Sequence, residues 1–198
     1  KWRKDFEIED LENNNMNKYF EEYEKEMSIN YQNEDQSNIA SKKLLEAASI
    51  LNWSTARVKR AQINCKNTNQ CPIGCPTGAK RTMKKTYIQK ALNNGANLLF
   101  NARVEKIKIE RVFAKKIFVK NKLGRRFSIS FKHLFVSGGP IQTPLLLKKS
   151  GIKKNVGSIF FIHPNIKIAV MFDEHISASK GTMMTRQVNH FQKDGFTI

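Results

Sequence analysis

Apolar positions recur at helical spacing twice near the start of the chain. Between Asp10 and Met27, the residues Met16, Tyr19, Phe20, Tyr23 and Met27 fall on one face and glutamates on the other, which predicts an amphipathic helix packed on a body. A polar, turn-rich stretch from Asn30 to Ser37 follows. A second helix is predicted from about Ile39 to Leu51, with Leu44, Leu45, Ala48 and Leu51 on one side, and a third from Thr82 to Asn94, closed by Gly95. Beyond Asn97 the pattern turns strand-like. The extended run from Asn97 to Ile109 shifts its apolar residues from even to odd positions after Val104, which predicts a bulge or bend there. Val112 to Lys120 and Arg125 to Lys132 alternate around the turn at 121–124, as the two strands of a hairpin do. His133 to Ser137 is a short apolar run of the kind found inside a sheet, and it empties into Gly138-Gly139-Pro140. Thr143 then suits a helix N-cap, Pro144 the first helical position, Leu145 to Leu147 a buried face and Gly151 a stop. After His163-Pro164, strict alternation at Ile166, Ile168, Val170 and Phe172, with a further strand-like run past Gly181, predicts the start of a separate antiparallel sheet. The fold class is α/β, in the mixed α+β sense: a helical cover over residues 1–60, a central part over 61–158 and the opening of another sheet over 159–198.

All three cysteines lie on one short loop between the helical and the β-rich parts, at Cys65, Cys71 and Cys75, interleaved with Pro72, Gly74, Pro76 and Gly78. Proline and glycine bend the backbone tightly here, so the sulfurs are gathered on a rigid loop. An odd number of clustered cysteines argues against a disulfide framework and leaves metal binding, a single bridge or plain packing.

Charge narrows the function classes. The net charge is +18, yet residues 1–35 carry eleven acidic and five basic side chains, so the excess lies in the remainder. Clustered cations release counterions from phosphate, which invites a nucleic-acid reading. Against it, the cations are mostly Lys, are scattered over helices and strands and seldom alternate with exposed aromatics, so nucleic acid is not the expected partner. The group Trp53, Arg57, Lys59 and Arg60 could hold an anionic ligand or form a solvated basic turn. No run approaches the roughly eighteen apolar residues of a membrane-spanning helix, and no signal segment opens the chain. Because it begins at Lys1 and stops just after a polar turn, the chain reads as an internal piece of something longer.

The sequence Val136-Ser137-Gly138-Gly139, running into a helix start, is the arrangement that offers backbone N–H groups and a partial positive charge to a phosphate. The full G-x-G-x-x-G dinucleotide fingerprint is absent from the sequence. From Gly139 to Ile152, Gly-Pro-Ile-Gln-Thr-Pro-Leu-Leu-Leu-Lys-Lys-Ser-Gly-Ile follows the second signature of the glucose-methanol-choline (GMC) oxidoreductases, departing where Lys153 replaces an expected glycine. Cys71-Pro72-Ile73-Gly74-Cys75-Pro76-Thr77-Gly78-Ala79-Lys80, followed by Thr86-Tyr87-Ile88 and Ala91-Leu92, resembles a segment of the family's bacterial alcohol and sugar dehydrogenases. Ala102-Arg103-Val104 before the hairpin and His163-Pro164 after the helix agree in order. The chain thus resembles the central part of a GMC flavoprotein over most of its length.

That resemblance implies FAD in a three-layer α/β domain, to which 61–158 would contribute, and a substrate domain built on an antiparallel sheet beginning at 159. Val104 would meet the adenine through its backbone, and Ser137, Gly138 and Gly139 would line the ribose and pyrophosphate. The reaction implied is oxidation of a CH–OH group of a small alcohol or sugar, with hydride passing to the flavin and electrons then to an acceptor that the sequence does not identify. The family's catalytic histidine has no counterpart at His133, His163, His175 or His190, so no catalytic residue is assigned and the piece alone is expected to hold FAD poorly. Some membrane-linked relatives carry a [3Fe-4S] cluster on three cysteines of the same segment. By resemblance Cys65, Cys71 and Cys75 are therefore candidate ligands, with packing or a zinc completed by His163 as alternatives. The sequence does not identify the compartment, whether cytoplasmic or membrane-peripheral.

Overall fold

The computed structural model describes residue 5, residues 7–8, 13–177 and 179–198. It is a mixed α/β chain that divides into two compact units, one of residues 1–96 with 170–198 and one of residues 97–169. This division differs from the three successive segments expected, because residues 170–198 pack with the first part of the chain.

In the first unit, α1 spans Asn13–Glu26; the predicted start at Asp10 lies outside the described residues. Its amphipathic face is only partly used. Met27 just past the helix is 5% exposed, and Tyr23 stacks on Tyr87 with ring centroids 6.2 Å apart, while Tyr19 and Phe20 stay exposed. The second helix, α2 (Ile39–Ile50), begins where Asn38 caps it by accepting from the Ser41 amide at 2.9 Å, and it buries Ala48 and Ser41. Between and after these helices lie three short strands, β1 (Ile29–Asn30), β2 (Thr55–Arg57) and β3 (Arg60–Ala61), with β1 paired antiparallel to β3. The third predicted helix is shorter than its pattern. It is a 3-10 turn, Met83–Lys85, followed by α3 (Tyr87–Asn93), which Lys90 ties to Glu26 at 2.8 Å. The strand-like run after Gly181 forms Arg186–Val188, the last strand of the chain, which pairs antiparallel with β2. It does not continue a sheet begun at Ile166. Residues 166–172 carry no regular structure, and Ile166, Ile168 and Val170 are largely exposed. Alternation specifies two faces of a strand but supplies no partner for its backbone.

The second unit is a three-stranded antiparallel meander, β4 (Ala102–Glu110), β5 (Phe113–Asn121) and β6 (Arg126–Ser130), with one helix. The register shifts between Val104 and Lys106, at the bulge predicted from the change of apolar parity. Ile107 and Val119 form its buried centre. Two expectations fail here. Residues 133–137 form no strand, and Phe135 is 90% exposed. The helix α4 runs Gly139–Lys149, so it begins four residues before Thr143, with Pro140 in its first turn and Pro144 inside it. Proline in a first turn gives up only an amide that had no intrahelical acceptor, so Pro140 starts the helix as readily as Pro144 could have.

Candidate functional site

Four residues of the second unit were singled out as lining a dinucleotide: Val104, Ser137, Gly138 and Gly139. Val104 sits half-buried on β4 opposite Val119, just before the bulge. Gly138 precedes α4 as its cap residue and Gly139 is its first residue. The two glycines are required for different reasons. Gly139 has φ +80 with open space where a Cβ would point, so its need is conformational. Gly138 has an ordinary φ of −80, but a Cβ there would stand 3.2 Å from Thr143 Oγ1 and 3.3 Å from the Thr143 amide nitrogen, so its need is steric.

Thr143 has a different role from the one expected. Its hydroxyl accepts the Gly138 amide at 2.9 Å, folding the turn back onto the first turn of the helix. Pro140 carries no N–H, so the helix's own bonding leaves the amides of Gly139 and Ile141 unserved at its open end.

Val104 and Gly138, distant in sequence, wall the same cavity of about 560 Å³, together with Arg103, Val136, Gln142 and Thr143. Arg103 and Lys149 contribute positive charge to its lining and Glu105 negative. Ser137 and Gly139 lie beside Gly138 on the exposed turn and are not part of the cavity wall. Arg103, Gln142 and Thr143 are wall residues that the sequence reading did not nominate. The signal for Thr143 was its place five residues after Gly138, within reach of that amide once the helix starts at Gly139.

The cysteine loop lines a second cavity, of about 400 Å³ in the first unit, into which Cys65, Cys71 and Cys75 all contribute. All three are free thiols. Each has a separate local partner. Cys65 Sγ lies 3.8 Å from Thr182 Oγ1, Arg60 Nη2 donates to Cys71 Sγ at 3.3 Å, and Cys75 Sγ is 3.5 Å from Thr77 Oγ1. The Thr77 hydroxyl, joined by the amides of Lys80, Ala79 and Thr77, holds the Cys75 thiol down to about 7, with burial opposing it. Among the described residues, no group of three or more His, Cys, Asp or Glu side chains is placed to hold a metal ion. His133, His163, His175 and His190 are all exposed.

The basic group near Trp53 has partners within the chain, although Arg57 and Lys59 remain exposed. Arg57 donates to the Gln32 carbonyl at 2.8 Å and lies over the Tyr31 ring, Lys59 pairs with Glu24 at 2.7 Å, and Arg60 donates to the Met183 carbonyl as well as to Cys71. Trp53 packs edge-on against Phe191.

Comparison with known proteins places these sites in a family. Residues 1–165 match the family description "GMC oxidoreductase". The uncharacterized GMC-type oxidoreductase y4nJ of Sinorhizobium fredii is 34% identical over 148 residues, covering 73% of this chain and 29% of that protein. An uncharacterized GMC-type oxidoreductase of Mycobacterium tuberculosis is 30% identical over 158 residues, covering 78% of this chain and 25% of that protein. The long-chain-alcohol oxidase FAO1 of Arabidopsis thaliana is 29% identical over 126 residues, covering 56% of this chain and 17% of that protein. The chain therefore spans less than a third of the length of these relatives, and over that span it belongs to the GMC oxidoreductase family.

Proposed function

We propose that the chain is part of the flavin-binding portion of an FAD-dependent oxidoreductase acting on the CH–OH group of a small alcohol or sugar. The observation that carries this reading is the meeting of Val104 and Gly138 on one cavity at the start of α4. The fit of a dinucleotide rests on three features of that place. Gly138 stands exposed on the cavity wall without a side chain, so the backbone there is bare to an incoming group. Arg103 and Lys149 outnumber Glu105 around it, which suits a pyrophosphate. The unserved amides of Gly139 and Ile141, at the positive end of an eleven-residue helix, suit an anion.

In this reading the Val104 backbone contacts the adenine, and Ser137, Gly138 and Gly139 lie along the ribose and pyrophosphate. When bound, FAD supplies the hydride acceptor. This chain's residues bind and orient its nucleotide end, with Thr143 holding the turn shape and Lys149 balancing phosphate charge. The alcohol side of the proposal draws on the relatives named long-chain-alcohol oxidases.

The test is flavin content and FAD titration of the full-length protein, wild type against Gly138→Val. Bound flavin that bleaches with an alcohol, with affinity falling at least tenfold in the variant, is the expected result. A protein that purifies without flavin and cannot be reconstituted overturns the proposal.

A further inference from the structure

Charge is unequally divided between the two units. Residues 97–169 hold sixteen basic and two acidic side chains, net +14, whereas the rest of the chain holds nineteen and fifteen, net +4. Within the meander the pleat sorts these cations. Val104, Ile107, Ile117, Val119, Phe127 and Ile129 share one face, which includes the buried Ile107 and Val119. The opposite face carries Arg103, Lys106, Lys108, Lys116, Lys120 and Arg126 around a 40% exposed Phe118.

The register sets like charges directly across from one another. Arg103 faces Lys120, Lys120 faces Arg126, and Lys108 faces Lys116, so one row of three cations crosses all three strands. Such pairs destabilise a sheet. Lys108 is relieved by Glu110 at 2.6 Å and Arg126 by Glu105 at 3.2 Å; among the described residues the other four have no carboxylate within ion-pair distance. At one end of this face the β4–β5 turn presents Val112, 83% exposed, and Phe113, 64% exposed, with Lys115 Nζ 5.5 Å from the Phe113 ring.

We propose that this face docks the chain onto an anionic phospholipid surface. The cations meet the headgroups and the Val112–Phe113 turn enters the interfacial layer. Charge complementarity calls for an anionic partner, and the turn selects among such partners. An apolar tip beside lysines suits the headgroup–acyl boundary, whereas a duplex would be met by forked arginines on phosphates and base edges.

The experiment is co-sedimentation of the whole chain with vesicles of phosphatidylcholine alone and of phosphatidylcholine with phosphatidylserine, at low and high salt. Binding to the serine-containing vesicles only, released as salt rises, is expected. Lys120→Glu puts a carboxylate between Arg103 and Arg126. It should weaken vesicle binding roughly tenfold while raising the melting temperature, so lost binding cannot be mistaken for lost folding. Val112→Ser with Phe113→Ser should weaken what binding survives at higher salt. Equal binding to uncharged vesicles, or full binding by Lys120→Glu, overturns the proposal. So does failure to bind any vesicle, and tight binding of a DNA duplex in that case would make nucleic acid the occupant.

Discussion

Gly138 and Gly139 are neighbours with the same side chain and opposite needs, so they respond differently to the same substitution. At Gly139 an added methyl meets nothing but must adopt φ +80, a strain of about 1–2 kcal/mol. At Gly138 the methyl is conformationally free and meets Thr143 Oγ1. Gly139→Ala should therefore lose stability whatever stands at 143, while Gly138→Ala should be partly rescued by Thr143→Ala. Chemical unfolding of the four variants checks this, and an equal response of both glycines to the second change would refute it. Cys75 offers a second residue-level prediction. Its thiol is lowered to about 7 chiefly by Thr77, so alkylation of Cys75 should rise through neutral pH, and Thr77→Val should move that rise upward. Because the ordinary thiol value lies higher, at 9.0, ionised Cys75 favours the folded state above that value, and the contribution fades as pH falls through about 7. Mass-resolved alkylation rates of Cys65, Cys71 and Cys75 across pH separate them; a flat profile at Cys75 would contradict the geometry.

At the scale of elements, Ser150 joins helix to sheet. Its Oγ accepts the Ile107 amide at 2.8 Å and donates to the Leu146 carbonyl at 2.7 Å, so the end of α4 is fastened to the edge strand β4. Ile107 is 3% exposed. Ser150→Ala would leave its amide buried without an acceptor, at a cost of about 1–3 kcal/mol. Urea unfolding should show that loss, and an unchanged midpoint would mean that water reaches the amide. The elements differ in how far the sequence announced them. Periodicity alone placed α2 almost to the residue, and the structure adds the Asn38 cap that closes its start. The hairpin and the bulge after Val104 on β4 were also legible, because a parity change has one geometric meaning. Residues 133–137 and 166–172 were misread for a shared reason: their patterns describe what a sheet would bury, and no neighbouring strand pairs with them. The start of α4 was misplaced because two prolines competed for the same position and a threonine that looked like a cap serves the turn instead.

For the whole molecule, the sequence names Val104 and Gly138, which wall one cavity, but Arg103 and Gln142 reach the same cavity from beside a bulge and from a helix start that one sequence cannot place in space. The cysteines lie on one loop as their spacing predicts, and the structure adds that all three line one cavity, which depends on side-chain directions that spacing does not fix. The concentration of positive charge in residues 97–169 leads to a prediction of its own. Repulsion among sixteen cations opposes their compaction and is screened by salt. The melting temperature should climb as NaCl is raised from about 20 to about 150 mM, roughly one Debye length's change of regime. A falling temperature in differential scanning fluorimetry would show instead that the surface ion pairs outweigh the repulsion.

The pairing of β2 with Arg186–Val188 also orders events in time. Thr55 meets Val188 across the whole of residues 97–169, so the first unit cannot close until synthesis has passed that last strand. The meander and α4, whose contacts are mostly between neighbours in sequence, can be complete while β2 still lacks its partner. A chain truncated after Ala169 and released would then carry a folded 97–169 unit and an unfinished first unit, open along β2 and vulnerable there to protease and to mispairing.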